Sequence, residues 1–361
     1  MKSSIGKNVT LTLYGESHGP AIGIIIDGLP AGIAIDHDFI LNQLEKRKAK
    51  GKISTQRHEA DEYKIISGVF NGFTCGTPLH IMIENTSTRS HDYHPELIRP
   101  SHADYVAHMK YHGFEDYRGG GHFSGRLTAP IVAAGAIALD ILKKKGILIG
   151  THIAQCQDFK DRNWQDLEKD IETCNSLEFS VLDEKVRQDM IDHIEKTALE
   201  KDSVGGILES CILHLPIGIG EPFFHSLESQ LSGYLFSIPA VKGVEFGLGF
   251  DFVHYKGSEV NDAWQIDHGI ISTMSNHNGG INGGISNGMP IIIKTIIKPT
   301  ASIFKTQHTV NLKTMENDEL TLQGRHDPAI FHRARVVVDS MIALALLDLC
   351  AEKYGTDWMR L

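Results

Sequence analysis

The sequence predicts an α+β fold, and three observations point there. Residues 127–144 are apolar on most faces (Ile131, Val132, Ala133, Ala134, Ala136, Ile137, Leu139, Ile141, Leu142), the pattern of a helix buried at the centre of a fold or at a subunit interface. A second apolar helix runs from about Val336 to Cys350. Around these two lie short strand-like runs at Val9 to Leu13, Ile22 to Asp27, Lys64 to Val69, Leu79 to Glu84, Ile147 to Ala154, Ile207 to Leu213 and Met289 to Ile297. The glycine-rich loops between them fit neither G-x-G-x-x-G nor a Walker motif, since Gly125 is followed by Arg126-Leu127, so Rossmann and P-loop folds are disfavoured. At 361 residues the chain can form one large domain or two medium ones. We read it as a single domain, residues 1–361, with the charge-rich segment 158–201 as a peripheral helical excursion.

Composition narrows the function classes. With 41% hydrophobic and 22% charged residues the chain is of ordinary globular character. A net charge of -10 argues against a nucleic-acid or acidic-membrane surface, so any cationic patch must be local. Cys75, Cys156, Cys174, Cys211 and Cys350 are scattered and form no C-x-x-C, which predicts free thiols in a reducing compartment, the cytoplasm. The longest apolar run, Ile131 to Leu142, is too short to span a bilayer and contains Asp140; no membrane or export segment is expected.

Taken in order, the first two strands flank Tyr14-Gly15-Glu16-Ser17-His18-Gly19-Pro20, a loop with His18 at its tip, either a functional group or a solvated turn residue. Asp36 is an N-cap for a helix whose stripe is Phe39, Ile40, Gln43, Leu44 and Arg47. It runs into the basic segment Lys46 to Lys52 and then Ser54 to Glu59, a solvated face or the mouth of an anion site. Asn71-Gly72 turns the chain between the next two strands, and residues 85–94 are loop. His91 and His94 have no third ligand nearby and read as surface residues, not a metal site.

Residues 99–126 carry the densest chemistry. Ser101 is expected to cap a helix to about Tyr111 with Asp104 at N3, which puts His102 in the first turn, where an acid meant for a leaving phosphate would suit. His108 and His112 lie one turn apart without the Glu a metal pair needs, so they read as packing or surface residues. Gly119, Gly120 and Gly121 can adopt φ > 0 and offer bare N–H groups to an anion, with Arg99, Arg118 and Arg126 supplying forked donors.

Further on, Val186, Met190, Ile191, Ile194 and Leu199 mark an amphipathic helix, and Phe223 to Phe236 another. Val241 to Phe250 is strand-like, its Gly243, Gly247 and Gly249 marking close backbone approach to a ligand. The loop 275–288 has five glycines between Gly279 and Gly288, interleaved with amides, suited to a flat polar ring or a phosphate. Lys298-Pro299-Thr300-Ala301-Ser302 is a polar turn, and Gly324-Arg325-His326-Asp327-Pro328 a loop in which Arg325 suits an anion and Asp327 a proton.

Read together, Gly15 to Pro20, Thr55-Gln56-Arg57, Arg99 to Asp104, Tyr117 to Gly121, Ser237 to Gly243, Gly279 to Gly288, Lys298 to Thr300 and Gly324 to Pro328 resemble chorismate synthase, in that family's order and over nearly the whole chain. The resemblance implies a β-α-β sandwich with a helical core between antiparallel sheets. It also implies a 1,4-anti elimination of phosphate from 5-enolpyruvylshikimate 3-phosphate, reduced FMN as cofactor with NADPH as a possible reductant, and a homotetramer. Carried over by motif, His18 keeps the flavin correctly protonated, His102 protonates departing phosphate and Asp327 assists proton removal at flavin N5. The implied cofactor contacts are Lys46, His122, Phe123, Ser124, Pro239, Ala240, Gly283, Lys298, Pro299, Thr300, Ala301, Ser302 and Arg325; the implied substrate cations are Arg47, Lys52, Arg57, Arg99, Arg126 and Arg333. This chain departs from the family pattern at His122, where arginine is frequent, at Leu127, where glutamate is, and at Lys46 and Lys52, which keep the charge of the usual arginine without its fork. Two rivals remain from the residues alone: a flavin oxidoreductase moving hydride from NAD(P)H, and a non-catalytic anion-binding protein.

Overall fold

The computed structural model describes residues 2–51, 53–55, 60–86, 95–322, 324 and 326–360. Lys52, Arg57, His91, His94 and Arg325 lie outside the described residues.

Alternating isoleucines build the first sheet. Ile22, Ile24 and Ile26 face inward and sit in antiparallel register with Ile83, Ile81 and Leu79, each at most 2% exposed. The sheet runs Ser4–Ile5, Thr10–Gly15, Ala21–Asp27, Leu79–Glu84, Tyr63–Ser67 in spatial order. A second antiparallel sheet runs Val241–Phe246, Ile291–Ile297, Gly206–Leu213, Leu148–Cys156, Phe159–Lys160. Each sheet has one apolar face to cover, and helices lie between them. Helix α1 (His37–Arg47) is capped by Asp36, whose Oδ1 accepts the N–H of Phe39 at 2.9 Å. The short α2 is Asp104–Tyr111, and α3 is Thr128–Lys144. On the segment 158–201, α4 (Leu167–Ser176) covers the outer face of Leu148–Cys156, with α5 (Glu184–Leu199) following. Helices α6 (Leu227–Phe236) and α7 (Gly257–Val260) precede the long α8 (Phe331–Tyr354).

The centre is the α3–α8 pair. Helix α3 packs on the first sheet, α8 on the second, and the two on each other. At Gly135 a Cβ would lie 2.2 Å from that of Ser340, so glycine there lets the helix backbones close together. This is the expected sandwich, an α+β fold with helices between antiparallel sheets. The segment Gly125–Lys144 has the length and apolarity of a membrane span, yet 83% of its most apolar window is buried inside the protein, as suits the core helix it is.

Some elements differ from expectation. Helix α6 begins only at Leu227, because Phe223–His225 forms a separate 3₁₀ turn and Ser226 caps the helix by accepting the N–H of Ser229 at 3.1 Å. The strand from Val241 stops at Phe246, since Gly247 and Gly249 turn the chain with φ of 57° and 53°. A Cβ on Gly247 would meet the carbonyl oxygen of His277 at 2.0 Å, so the close approach signalled by this glycine is to the loop 275–288. Ser101 is not a helix cap: its φ is 59°, α2 starts at Asp104, and His102 precedes the helix. The carboxylate expected at N3 is instead committed to Arg99.

Candidate active site

Loops from both halves of the sandwich enclose a cavity of about 2540 Å³. Its first wall is the glycine triplet. Gly119, Gly120 and Gly121 have φ of 60°, 80° and 52°, a run that side chains would strain. The Gly121 carbonyl accepts the N–H of Ser17 at 3.0 Å, and a Cβ on Gly119 would lie 2.1 Å from the His18 ring. The triplet is therefore the seat of the His18 loop. His18 is a buried wall residue and not a solvated turn. His122 completes the seat by donating Nδ1–H to the Gly15 carbonyl at 2.8 Å.

Behind this wall stands a polar network whose partners are far apart in the chain. The Asn85 amide donates to the carbonyls of Glu16 (3.0 Å) and Gly19 (2.8 Å), while its Oδ1 accepts Arg126 Nε at 3.1 Å. Arg126 also binds Asp61, whose side chain is wholly buried and which accepts Arg47 Nη1 at 2.9 Å on its other oxygen. Arg47 holds Thr128 Oγ1 and the Gly125 carbonyl at 2.9 and 3.1 Å. Both arginines border the cavity; Asp61, bonded to both, offsets one of their two charges, and they also brace the glycine loop from behind. Arg118, on the surface, is paired with Asp116 at 2.8 Å.

The second wall is cationic. His102 donates Nδ1–H to the Pro100 carbonyl at 3.0 Å, which leaves the Nε2 lone pair to accept the Ser302 hydroxyl at 2.8 Å. Burial, then the neighbouring Arg99 guanidinium, pushes this imidazole down to about 4, so it is neutral at pH 7. Arg99 is forked onto Asp104 at 2.7 and 2.8 Å. Burial alone would raise the Asp104 carboxyl, but the Arg99 bonds hold it below the usual range. Lys298 reaches the Ser101 carbonyl at 2.9 Å, its pKa lowered by burial and then by Lys242. The Thr300 hydroxyl is sealed from solvent with no hydrogen-bond partner among the described residues. Pro239 and Ala240 adjoin this wall, with the Ala240 carbonyl accepting Lys298 N–H at 3.0 Å.

Asp327 closes the third side. Its Oδ1 accepts Thr55 N–H at 2.8 Å, and Arg333 Nη1 sits 2.8 and 2.9 Å from its two oxygens. Arg333 Nε donates to the Arg47 carbonyl at 3.1 Å.

Of the sequence-predicted residues, His18, His102, Asp327, His122, Phe123, Ser124, Pro239, Ala240, Lys298 to Ser302, Arg47, Arg99, Arg126 and Arg333 line this one cavity. Lys46 and Gly283 do not. Lys46 lies beside Arg335 and Asp339, its amine lowered to about 8 chiefly by burial. Gly283 sits at the turn of a small hairpin, Ile281–Asn282 with Ile285–Ser286, and no residue of 275–288 borders the cavity.

The family described as chorismate synthase matches residues 9–351. Chorismate synthase of Pyrococcus abyssi is 44% identical over 345 residues, covering 95% of this chain and 96% of the relative. That of Dehalococcoides mccartyi is 44% identical with 97% and 96% covered, and that of Chitinophaga pinensis 45% identical with 96% of each. A solved crystal structure of chorismate synthase superposes with a TM-score of 0.75 at 26% identity, covering 97% of this chain and 94% of its own. The chain belongs to the chorismate synthase family, phosphate-eliminating lyases that form chorismate in the last step of the shikimate pathway.

Proposed function

We propose that the cavity between His18, His102 and Asp327 is where 5-enolpyruvylshikimate 3-phosphate loses phosphate and a ring hydrogen. The observation that carries this reading is that three separated loops bring all three residues to one cavity with a cationic wall. Chorismate synthases use reduced flavin, and the residues present fit FMN: the buried Thr300 hydroxyl without a protein partner, the Lys242–Lys298 pair and the Pro239–Ala240 turn offer donors and a flat surface. Held by these residues, reduced flavin would supply the transient electron density that breaking the allylic C–O bond needs.

The protein's own part is positioning and proton handling. Arg99 and Lys298 draw the phosphate to His102, whose Nε2 then carries the proton that leaves with it. Ser302 aims that nitrogen. Asp327, with Thr55 N–H on Oδ1 and Arg333 Nη1 across both oxygens, receives a proton at Oδ2. His18, seated on Gly119, would hold a proton at the cavity wall for a flavin bound there. Lys46 and Gly283 are not assigned to this chain's own cavity.

NADPH as the reductant and a homotetramer are proposed from the family resemblance, and the cytoplasm from the five free thiols. A single domain with 158–201 as an excursion is supported by the core that α3 and α8 share. The test is anaerobic turnover with pre-reduced FMN. One phosphate and one chorismate should appear per substrate without net loss of reductant, whereas stoichiometric consumption of reductant indicates the hydride-transfer rival.

A further inference from the structure

We infer that His332 and Ser54 form a positioning pair for Asp327, setting which of its oxygens faces the cavity; this rests on the role proposed for Asp327. Ser54 and Thr55, which follow α1 in the chain, meet the start of α8 and the loop before it. Ser54 Oγ and His332 Nε2 lie 2.8 Å apart, and the next residue, Thr55, donates its N–H to Asp327 Oδ1, also at 2.8 Å. His332 is wedged against Phe179 and Phe331, with ring centroids 5.9 and 6.1 Å away, and its Nδ1 is sealed from solvent without a partner among the described residues. The one hydrogen bond shown for this ring is therefore the one that pins Ser54. Arg333, adjacent to it, pulls on Asp327 from the other side.

The way Arg333 meets Asp327 shows what the pin accomplishes. A free Arg–carboxylate pair prefers a fork, with two nitrogens facing two oxygens. Here a single nitrogen, Nη1, approaches both oxygens at 2.8 and 2.9 Å, while Nε is turned to the Arg47 carbonyl. Thr55 N–H holds Oδ1 in that arrangement, and Thr55 is itself held in place by the Ser54–His332 bond. Without it, the carboxylate can swing into the fork and present neither oxygen correctly for a proton.

Four single variants, one double variant and one control test this in the full-length enzyme with reduced FMN. Ser54→Ala and His332→Leu should each lower kcat about tenfold while KM and the midpoint of thermal unfolding barely move. The double variant should be no slower than either single one, because both remove the same bond. His332→Gln and Ser54→Thr, which retain a polar group at the contact, should recover most of the rate. Should His332→Leu not fold, Ser54→Ala against Ser54→Thr still decides. Wild-type kcat in Ser54→Ala, additive losses in the double variant, or no recovery in the conservative variants would overturn the inference. Asp327→Asn is the control: full activity there removes the proposed role of Asp327 itself, whereas slow Asp327→Asn beside fast Ser54→Ala removes only the positioning pair.

Discussion

Substrate should reverse the protonation state of His102. Among the protein groups alone the imidazole is pushed down to about 4 from an ordinary 6.5, which at 1.36 kcal/mol per pH unit is roughly 3 kcal/mol opposing the charged form. Burial contributes most and Arg99 next. A phosphate oxygen about 4 Å from the ring, at an effective dielectric of about 20, favours the imidazolium by about 4 kcal/mol per unit charge. It also neutralises Arg99. The attraction therefore outweighs the penalty, and the acid is created by the substrate that needs it. The assay is NMR of ring-labelled histidine at pH 6, with His102→Gln identifying the signal. Free enzyme should show a neutral His102; the complex with substrate and oxidised FMN, which does not turn over, should show the cation. A neutral His102 in that complex would refute the reasoning and leave the leaving phosphate without its donor.

Other predictions follow from the same geometry. Gly119→Ala introduces a Cβ 2.1 Å from the His18 ring at a φ of 60° and should reduce kcat about a hundredfold. Gly283→Ala, at a similar φ of 62° but with nothing within 4 Å, should cost only about 1–2 kcal/mol of stability, read from denaturant melts, unless another copy of the chain packs there. Asp61→Asn strands two buried guanidinium groups and should cost about 3–5 kcal/mol by the same melts; a change below 1 kcal/mol would remove the bracing role. His102 and His332 both titrate near 4 when folded and near 6.5 when unfolded, so between those values the unfolded chain binds more protons. Stability should thus fall as pH drops from 6.5 to 4, by up to about 2.7 kcal/mol per pH unit, and replacing either histidine should flatten that limb.

Much of the architecture was legible because apolar period is a local signal. The apolar run Ile22 to Asp27 and the segment 127–144, apolar on most faces, announced a strand and a buried helix from a few residues each. Site residues within one motif were legible for the same reason: Gly119, Gly120, His18 and the Lys298–Ser302 turn all border the cavity. What escaped was long-range pairing. Asp61 and Asn85 are single polar residues in unremarkable loops, and their importance comes from Arg126, 65 and 41 positions away. For the same reason the sequence displays the charge of Arg47 and Arg126 but not the Asp61 carboxylate that they share. Ser101 failed as a cap through competition, Arg99 having taken the Asp104 carboxylate the capping box required.

The account depends most on one cavity housing all three proton-handling groups. A crystal structure of the enzyme with FMN and substrate tests this directly. It should place the flavin ring and the substrate's phosphate between His18, His102 and Asp327, with the phosphate within hydrogen-bonding distance of His102 Nε2. Flavin bound elsewhere on the chain, or phosphate directed away from Arg99 and His102, would contradict it.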